Sequence, residues 1–205
     1  MFLFRESLPD LKSDVRFFHA APGAPNIDLY ANGNLIISNL AFSKYTDYRK
    51  ISPGKYSINI YKSGTYDDPI LSTDIELLPN TTLTISLILL ESKLELFKLK
   101  DLLSTYNKEL TYLRFINFSP TSPLLSLSLP NGDNIFNAVE YLETTVYSNL
   151  SAGIYDFEVT ATGDTLFKKN INSLDLENNT FHTIYIVGLI DDKPKLGYVF
   201  LKDGI

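Results

Sequence analysis

Apolar and polar residues alternate with a period of two along most of this chain, the period of strands with one face buried. The alternation is cleanest in KYSINIYK (55–62), where Tyr56, Ile58 and Ile60 interleave with Ser57, Asn59 and Tyr61. In NIDLYA (26–31), Ile27 and Leu29 share one face and Asp28 and Tyr30 the other. LTISLILL (83–90) is instead continuously apolar, as a central sandwich strand covered on both faces should be. Turn chemistry separates these runs. Asn32-Gly33-Asn34 is a strong hairpin signal, and in SPGK Pro53 presets φ while Gly54 supplies the positive-φ position. The pattern predicts strands over 15–20, 26–31, 35–38, 46–51, 55–62, 70–77, 83–90 and 91–101. Short strands with a turn every ~8–12 residues are the signature of a β-sandwich.

The stretch VRFFHAAPGAPNIDLY (15–30) returns as LRFINFSPTSPLLSLS (113–128). Each copy carries an Arg (Arg16, Arg114), then an apolar run, then two prolines three residues apart (Pro22 and Pro25, Pro120 and Pro123). Further matches follow in the same order at an offset of about 98 residues: Tyr48 with Tyr147, Gly54 with Gly153, Tyr56 with Tyr155, Gly64 with Gly163, Asp101 with Asp203. An ordered series of turn and core matches implies tandem duplication. The expected organisation is an arm over 1–13, a first domain over 14–101, a linker over 102–110 and a second domain over 111–205. The linker LLSTYNKEL lacks Pro and Gly and is partly apolar, which favours packed domains over freely swinging ones.

Composition narrows the function more than the fold. At 44% hydrophobic and 20% charged residues, the chain has the make-up of a folded protein, and its 13 Tyr and 13 Phe favour strands. The 18 basic residues against 24 acidic ones, for a net charge of −6, argue against a nucleic-acid partner, which would need concentrated Lys and Arg. The absence of Cys removes disulfides, thiolate metal sites and Cys nucleophiles together. The opening MFLFRESLPDLKSD lacks the apolar core of a signal peptide, and the run 83–90 is far below the ~20 residues of a membrane span. No signal peptide and no membrane span are therefore expected.

The motifs RFFHAAPGAPNIDLY, PGKY and LKD of the first unit, with RF, SPTSP, AGIY and LKD of the second, resemble the bacterial family known as domain of unknown function 4397. Two positions depart from the family pattern in the second unit: Asn117 stands where the first has His19, and Ser126 where it has Asp28. The resemblance covers nearly the whole chain. It implies an all-β fold of two tandem immunoglobulin-like or transthyretin-like β-sandwich domains, and a place at the bacterial cell or spore surface. It implies no activity.

Six residues stand out as ligand candidates or structural markers: Arg16, His19, Asp28, Tyr30, Tyr48 and Arg114. His19 lacks the second His that a metal site usually gathers, so a structural role beside the proline loop is the expectation. Arg16 and Arg114 are expected each to bond the terminal Asp of its own domain (Asp101 and Asp203) or a nearby loop carbonyl, since the planar guanidinium holds two oxygens at once. Asp28 beside Tyr30 could be an acid paired with a phenol; a brace accepting amides of the APGAP loop is the plainer reading. Tyr56 and Tyr155, two residues after a turn Gly, resemble the corner tyrosines of sandwich folds. Tyr45, Tyr48, Tyr61 and Tyr66 could form a platform on which a sugar stacks. No spacing supports a Ca²⁺ loop at Asp67-Asp68 or Asp191-Asp192.

The sequence carries no phosphate loop, nucleophile elbow or metal-ligand cluster. The expectation is a non-catalytic structural or adhesive module, with no catalytic, cofactor-binding or metal-binding residues and no cofactor. The alternative is a glycan- or small-ligand-binding module using the first domain, and an enzyme ranks last. The partners implied are a cell-wall glycan or an envelope protein.

Overall fold

The computed structural model describes residues 11–102 and 107–204, and over these the chain is all β, without a helix. Of the expected arm (1–13), residues 1–10 fall outside the described residues, as do residues 103–106 of the expected linker (102–110). The first half holds β1 (Ser13–His19), β2 (Ile27–Ala31), β3 (Asn34–Leu40), β4 (Arg49–Ile51), β5 (Gly54–Lys62), β6 (Leu71–Leu77), β7 (Thr82–Leu90) and β8 (Lys93–Lys100). The second holds β9 (Leu110–Asn117), β10 (Leu125–Ser128), β11 (Asn134–Val139), β12 (Ser148–Ser151), β13 (Gly153–Ala161), β14 (Asp164–Leu176), β15 (Phe181–Val187) and β16 (Gly197–Asp203).

Each half is a two-sheet sandwich, and the strand orders correspond one to one. In the first unit the sheets run β4-β1-β7-β8 and β3-β2-β5-β6; in the second, β12-β9-β15-β16 and β11-β10-β13-β14. In both, the first strand of the unit pairs in parallel with the seventh (β1 with β7, β9 with β15), and the other pairings are antiparallel. The hairpin at Asn32-Gly33 forms with both residues at positive φ (49° and 77°), the conformation that tight hairpins require. The expected strand over 46–51 shortens to β4, because the backbone from Phe17 and Phe18 to Tyr45 and Thr46 is held by isolated bonds instead of a ladder.

Alternation decides what each strand buries. From β1 and β7, Val15, Phe17, Ile85 and Leu87 point into the first core, where they meet Leu29, Ile58 and Ile60 of the opposite sheet. From β9 and β15, Leu113, Phe115, Ile184 and Ile186 do the same in the second. The other faces of these strands are buried too, because the sheets containing β1 and β9 pack against each other. Phe18, Ile88 and Leu99 of the first unit form a third cluster with Ile116, Phe118, Tyr185, Val187 and Leu201 of the second. Phe18 lies 5.1 Å edge-on to Tyr185, and Phe97 lies 5.5 Å edge-on to Phe118. The molecule is thus four layers deep, and the central strands of its two inner sheets are buried on both faces. That explains the continuous burial of SDVRFFH and FHTIYIV, strands that would each show a wet face in an isolated sandwich.

Candidate functional site

The inner sheets carry polar residues on the face they turn to each other, and these gather into one buried cluster. Arg16 reaches it from β1, Thr84 from β7, and Asp101 from the end of β8; Arg114, Thr183 and Asp203 occupy the matching places on β9, β15 and β16. The expectation that each Arg would bond its own domain's terminal Asp is corrected by the structure: the principal pairings cross. Arg16 Nη2 donates to Asp203 at 2.6 Å and Arg16 Nη1 to the Lys202 carbonyl at 2.9 Å. Arg114 Nη2 donates to Asp101 at 2.6 Å and Arg114 Nη1 to the Lys100 carbonyl at 3.0 Å. Arg114 also approaches Asp203 of its own unit, at 3.3 Å. The physical reason is geometric: Arg16 and Asp101 lie on strands separated by β7, so the face that buries both also presents them to the opposite sheet.

Threonine and tyrosine complete each half. Thr84 Oγ1 accepts from Arg16 Nη2 at 2.8 Å and donates to Asp101 at 2.6 Å; Thr183 Oγ1 accepts from Arg114 Nε at 2.9 Å and donates to Asp203. Tyr48 donates to Asp101 at 2.7 Å and Tyr147 to Asp203 at 2.9 Å. Each guanidinium also sits over the ring of its unit's tyrosine, 4.6 Å from Tyr48 and 4.5 Å from Tyr147. Burial alone would lower the pKa of each Arg, but the phenols and carboxylates around them more than offset it, and both are raised. Burial pushes Asp101 up, as does the neighbouring Asp203 charge, while Arg114 and the Thr84 and Tyr48 hydroxyls oppose them. Burial likewise pushes the Tyr48 and Tyr147 phenols up. Two cations and two anions at close range with their donors satisfied form a neutral, held assembly. Arg16 and Tyr48 also line a cavity of about 280 Å³ with Tyr45 and Lys202. Ser86 and Tyr185, at matching positions of β7 and β15, turn hydroxyls without a hydrogen-bond partner into the same interface.

The six singled-out residues therefore separate. Arg16, Tyr48 and Arg114 come together in the cluster, where Tyr48 is half-buried under the Arg16 guanidinium. His19 is fully buried, and its Nε2 donates to the Pro25 carbonyl at 3.0 Å, bracing the proline loop. Burial lowers its pKa. Asp28 does brace backbone, but not that of the APGAP loop as expected. One oxygen accepts the Asn39 amide at 2.7 Å, and the other accepts the Gly64 amide at 2.9 Å. Asn39 sits at positive φ (52°) where the β2–β3 register shifts, so the carboxylate holds a bulge and a turn together. Burial would raise the Asp28 pKa, but these amides and Ser63 outweigh it and lower it. In the second unit Ser126 accepts the amide of Ala138, also at positive φ (54°). Tyr30 pairs with aromatics and not with Asp28: its ring lies 5.3 Å from Tyr61 and 5.0 Å from Tyr66, and Tyr61 and Tyr66 stack at 4.8 Å. Tyr56 and Tyr155 donate to the carbonyls of Ser52 and Ser151, four residues upstream, each closing its own hairpin.

Sequence reasoning missed Thr84 and Thr183. Their signal was a Thr repeated at the same place within two otherwise apolar strands, LTISLILL and HTIYIVGL. Among the described residues, no group of three His, Asp or Glu could hold a metal ion, and no helix is long and apolar enough to cross a membrane.

A family model described as "Domain of unknown function (DUF4397)" matches residues 13–128, more than half of the chain. The chain belongs to the DUF4397 family. The matched stretch of this DUF4397 protein contains all of the first unit and continues through β9 and β10, so it includes both Arg114 and the Asp101 it bonds. None of the curated proteins matches the chain. Among solved structures, the chain is similar to the fimbrial anchor protein Mfa2 from Porphyromonas gingivalis at 12% identity, covering 95% of this chain and 98% of that one, with a TM-score of 0.25. A score that low carries no argument about fold or function.

Proposed function

We propose that this DUF4397 protein is a non-catalytic structural module of the bacterial envelope, two sandwich domains (14–101 and 111–205) fused into one rigid body that spaces or anchors other components. The observation that supports this reading is the crossed cluster. The polar groups most suited to chemistry are spent on one another, and they lie where the two units meet. Tyr141 adds a further tie, donating its hydroxyl to the Leu89 carbonyl across the interface, and burial pushes its pKa up to about 12. A body locked in this way suits a spacer, because load on one unit passes to the other without a hinge. The test is to fractionate cells that make the protein and to measure binding of the intact chain to purified envelope and cell-wall material. Recovery with the envelope, together with one cooperative unfolding transition for both units, supports the reading. Recovery wholly in the soluble fraction with no envelope binding overturns it.

A second reading, glycan binding by the first domain, is favoured by the Tyr30–Tyr61–Tyr66 cluster, whose outermost ring, Tyr66, is 57% exposed. Retention on a glycan column that Tyr66→Ala abolishes would select it.

A further inference from the structure

A cavity of about 360 Å³ opens between the two sheets of the first unit, at the side where the edge strands β3 and β4 flank the sandwich. Its floor is apolar: Val15, Phe17, Leu29, Ile58 and Ile85 belong to the hydrophobic core itself, and Ala31 packs against it. Its mouth is formed by Ile36 of β3 and by Arg49 and Lys50 of β4. Arg49 lines the opening, with Nη1 donating to the Ile36 carbonyl at 3.0 Å. Lys50 is 60% exposed in its side chain and lies 3.6 Å from Asp14. Lys50 thus turns with Asp14 to the other face of β4, while Arg49, paired with Val15, is the cation at the lip of the apolar cavity, on a chain of net charge −6.

The second unit shows what the same architecture does when its core is filled. The positions of Ala31 and Ile58, which face each other across β2 and β5, are taken there by Leu129 and Phe157. Phe157 is fully buried and stacks on Tyr155 at 5.6 Å, and Phe136 stacks on Phe115 at 6.1 Å. The first unit holds smaller aliphatic groups at the places of Phe157 and Phe136, Ile58 and Ile37. The lip differs too: where β4 reads Arg49-Lys50-Ile51, β12 reads Ser148-Asn149-Leu150. Space and the lip cation thus occur together in one unit and are both replaced in the other, Arg49 by Ser148.

We infer that this cavity is a binding site for an amphiphile with an unbranched apolar tail and an anionic head, of the medium-chain carboxylate class. The tail fills the space between the sheets, where an apolar cavity of this size stays dry and gains from occupation by hydrocarbon. The carboxylate meets Arg49, since Lys50 lies with Asp14 on the other face of β4. This inference goes beyond the structural role and does not depend on it.

Titration of the full chain with decanoate, below its micellar concentration, tests it by methyl-resolved NMR, with decanol as the uncharged control. The expected result is saturable shifts centred on Ile36, Ile51, Ile58 and Ile75, with decanoate binding at least about tenfold more tightly than decanol. Arg49→Gln should remove that preference while leaving decanol affinity within about twofold. The double variant Ala31→Leu, Ile58→Phe, which copies the second unit, should weaken both ligands at least about tenfold without lowering the thermal midpoint. If that variant does not fold, Ile36→Trp at the half-buried mouth replaces it, with the same loss expected. Absence of saturable shifts, shifts centred elsewhere, or unchanged binding by the filled variant overturns the inference.

Discussion

At the residue scale, each buried guanidinium neutralises a carboxylate carried by the other unit, so removing one partner strands a charge inside the interface. Arg16→Ala takes one of the two guanidinium partners from Asp203 and the donor from the Thr84 hydroxyl, leaves two buried carboxylates to one cation, and should cost about 3–5 kcal/mol, measured by urea unfolding of the whole chain. Arg16→Lys should recover little, because one ammonium cannot replace Nε, Nη1 and Nη2, which reach Thr84, Lys202 and Asp203 separately. His19 makes a prediction of a different kind. Its folded pKa is depressed, so its stabilising share is complete above the unfolded value of about 6.5 and is lost as the pH falls below it. His182, also depressed by burial, acts in the same direction. Stability should therefore decline from pH 7 towards pH 5. His19→Asn, the residue found at the matching position Asn117, should remove up to about 1.4 kcal/mol per pH unit from that slope. Unfolding free energies at several pH values check both statements.

At the scale of elements, Asp28 shows how one side chain sets the shape of a sheet edge. It holds the amide of Asn39 in the β3 bulge and the amide of Gly64 in the turn after β5. Asp28→Ala should cost about 2–3 kcal/mol, since both amides lose their acceptor in a partly buried place. Asp28→Ser should cost less, because a hydroxyl can still take the bulge amide as Ser126 does; parallel urea titrations compare the two. The strands themselves were legible in the sequence, since a period of two and a few Asn-Gly and Pro-Gly turns are local signals. The bulge was not. Neither Asn39 nor Ala138 is a residue whose type demands positive φ, and the Asp that stabilises the bulge is 11 residues away from Asn39 in sequence.

At the scale of the whole molecule, the sequence repeat made two similar sandwiches legible but not the way they meet. Alternation tells which face a residue occupies, not which sheet will cover that face. Arg16 and Asp101 were correctly seen as repeated and polar, and both lie on the buried inner face. The choice between bonding within the unit and across the interface depends on a contact between sheets that no local pattern encodes. The aromatic residues that seal the contact, Phe18, Phe97, Phe118 and Tyr185, read in the sequence as ordinary strand residues.

Arg114 holds the Lys100 carbonyl and Asp101, and Arg16 holds the Lys202 carbonyl and Asp203, through the same atoms at nearly the same distances. The end of β16 therefore stands to the start of β1 as the end of β8 stands to the start of β9, although only the second pair is joined by the chain. The order of the two units along the polypeptide is thus a matter of connection and not of shape. A circular permutant that runs from 107 to 204, crosses a flexible joint about as long as the natural linker, and then runs from 11 to 102 should fold to the same four layers. Matching amide NMR spectra away from the new joint, with an unfolding midpoint close to that of the parent, are the expected outcome; a permutant that collapses without cooperative unfolding would show that the two junctions are not equivalent.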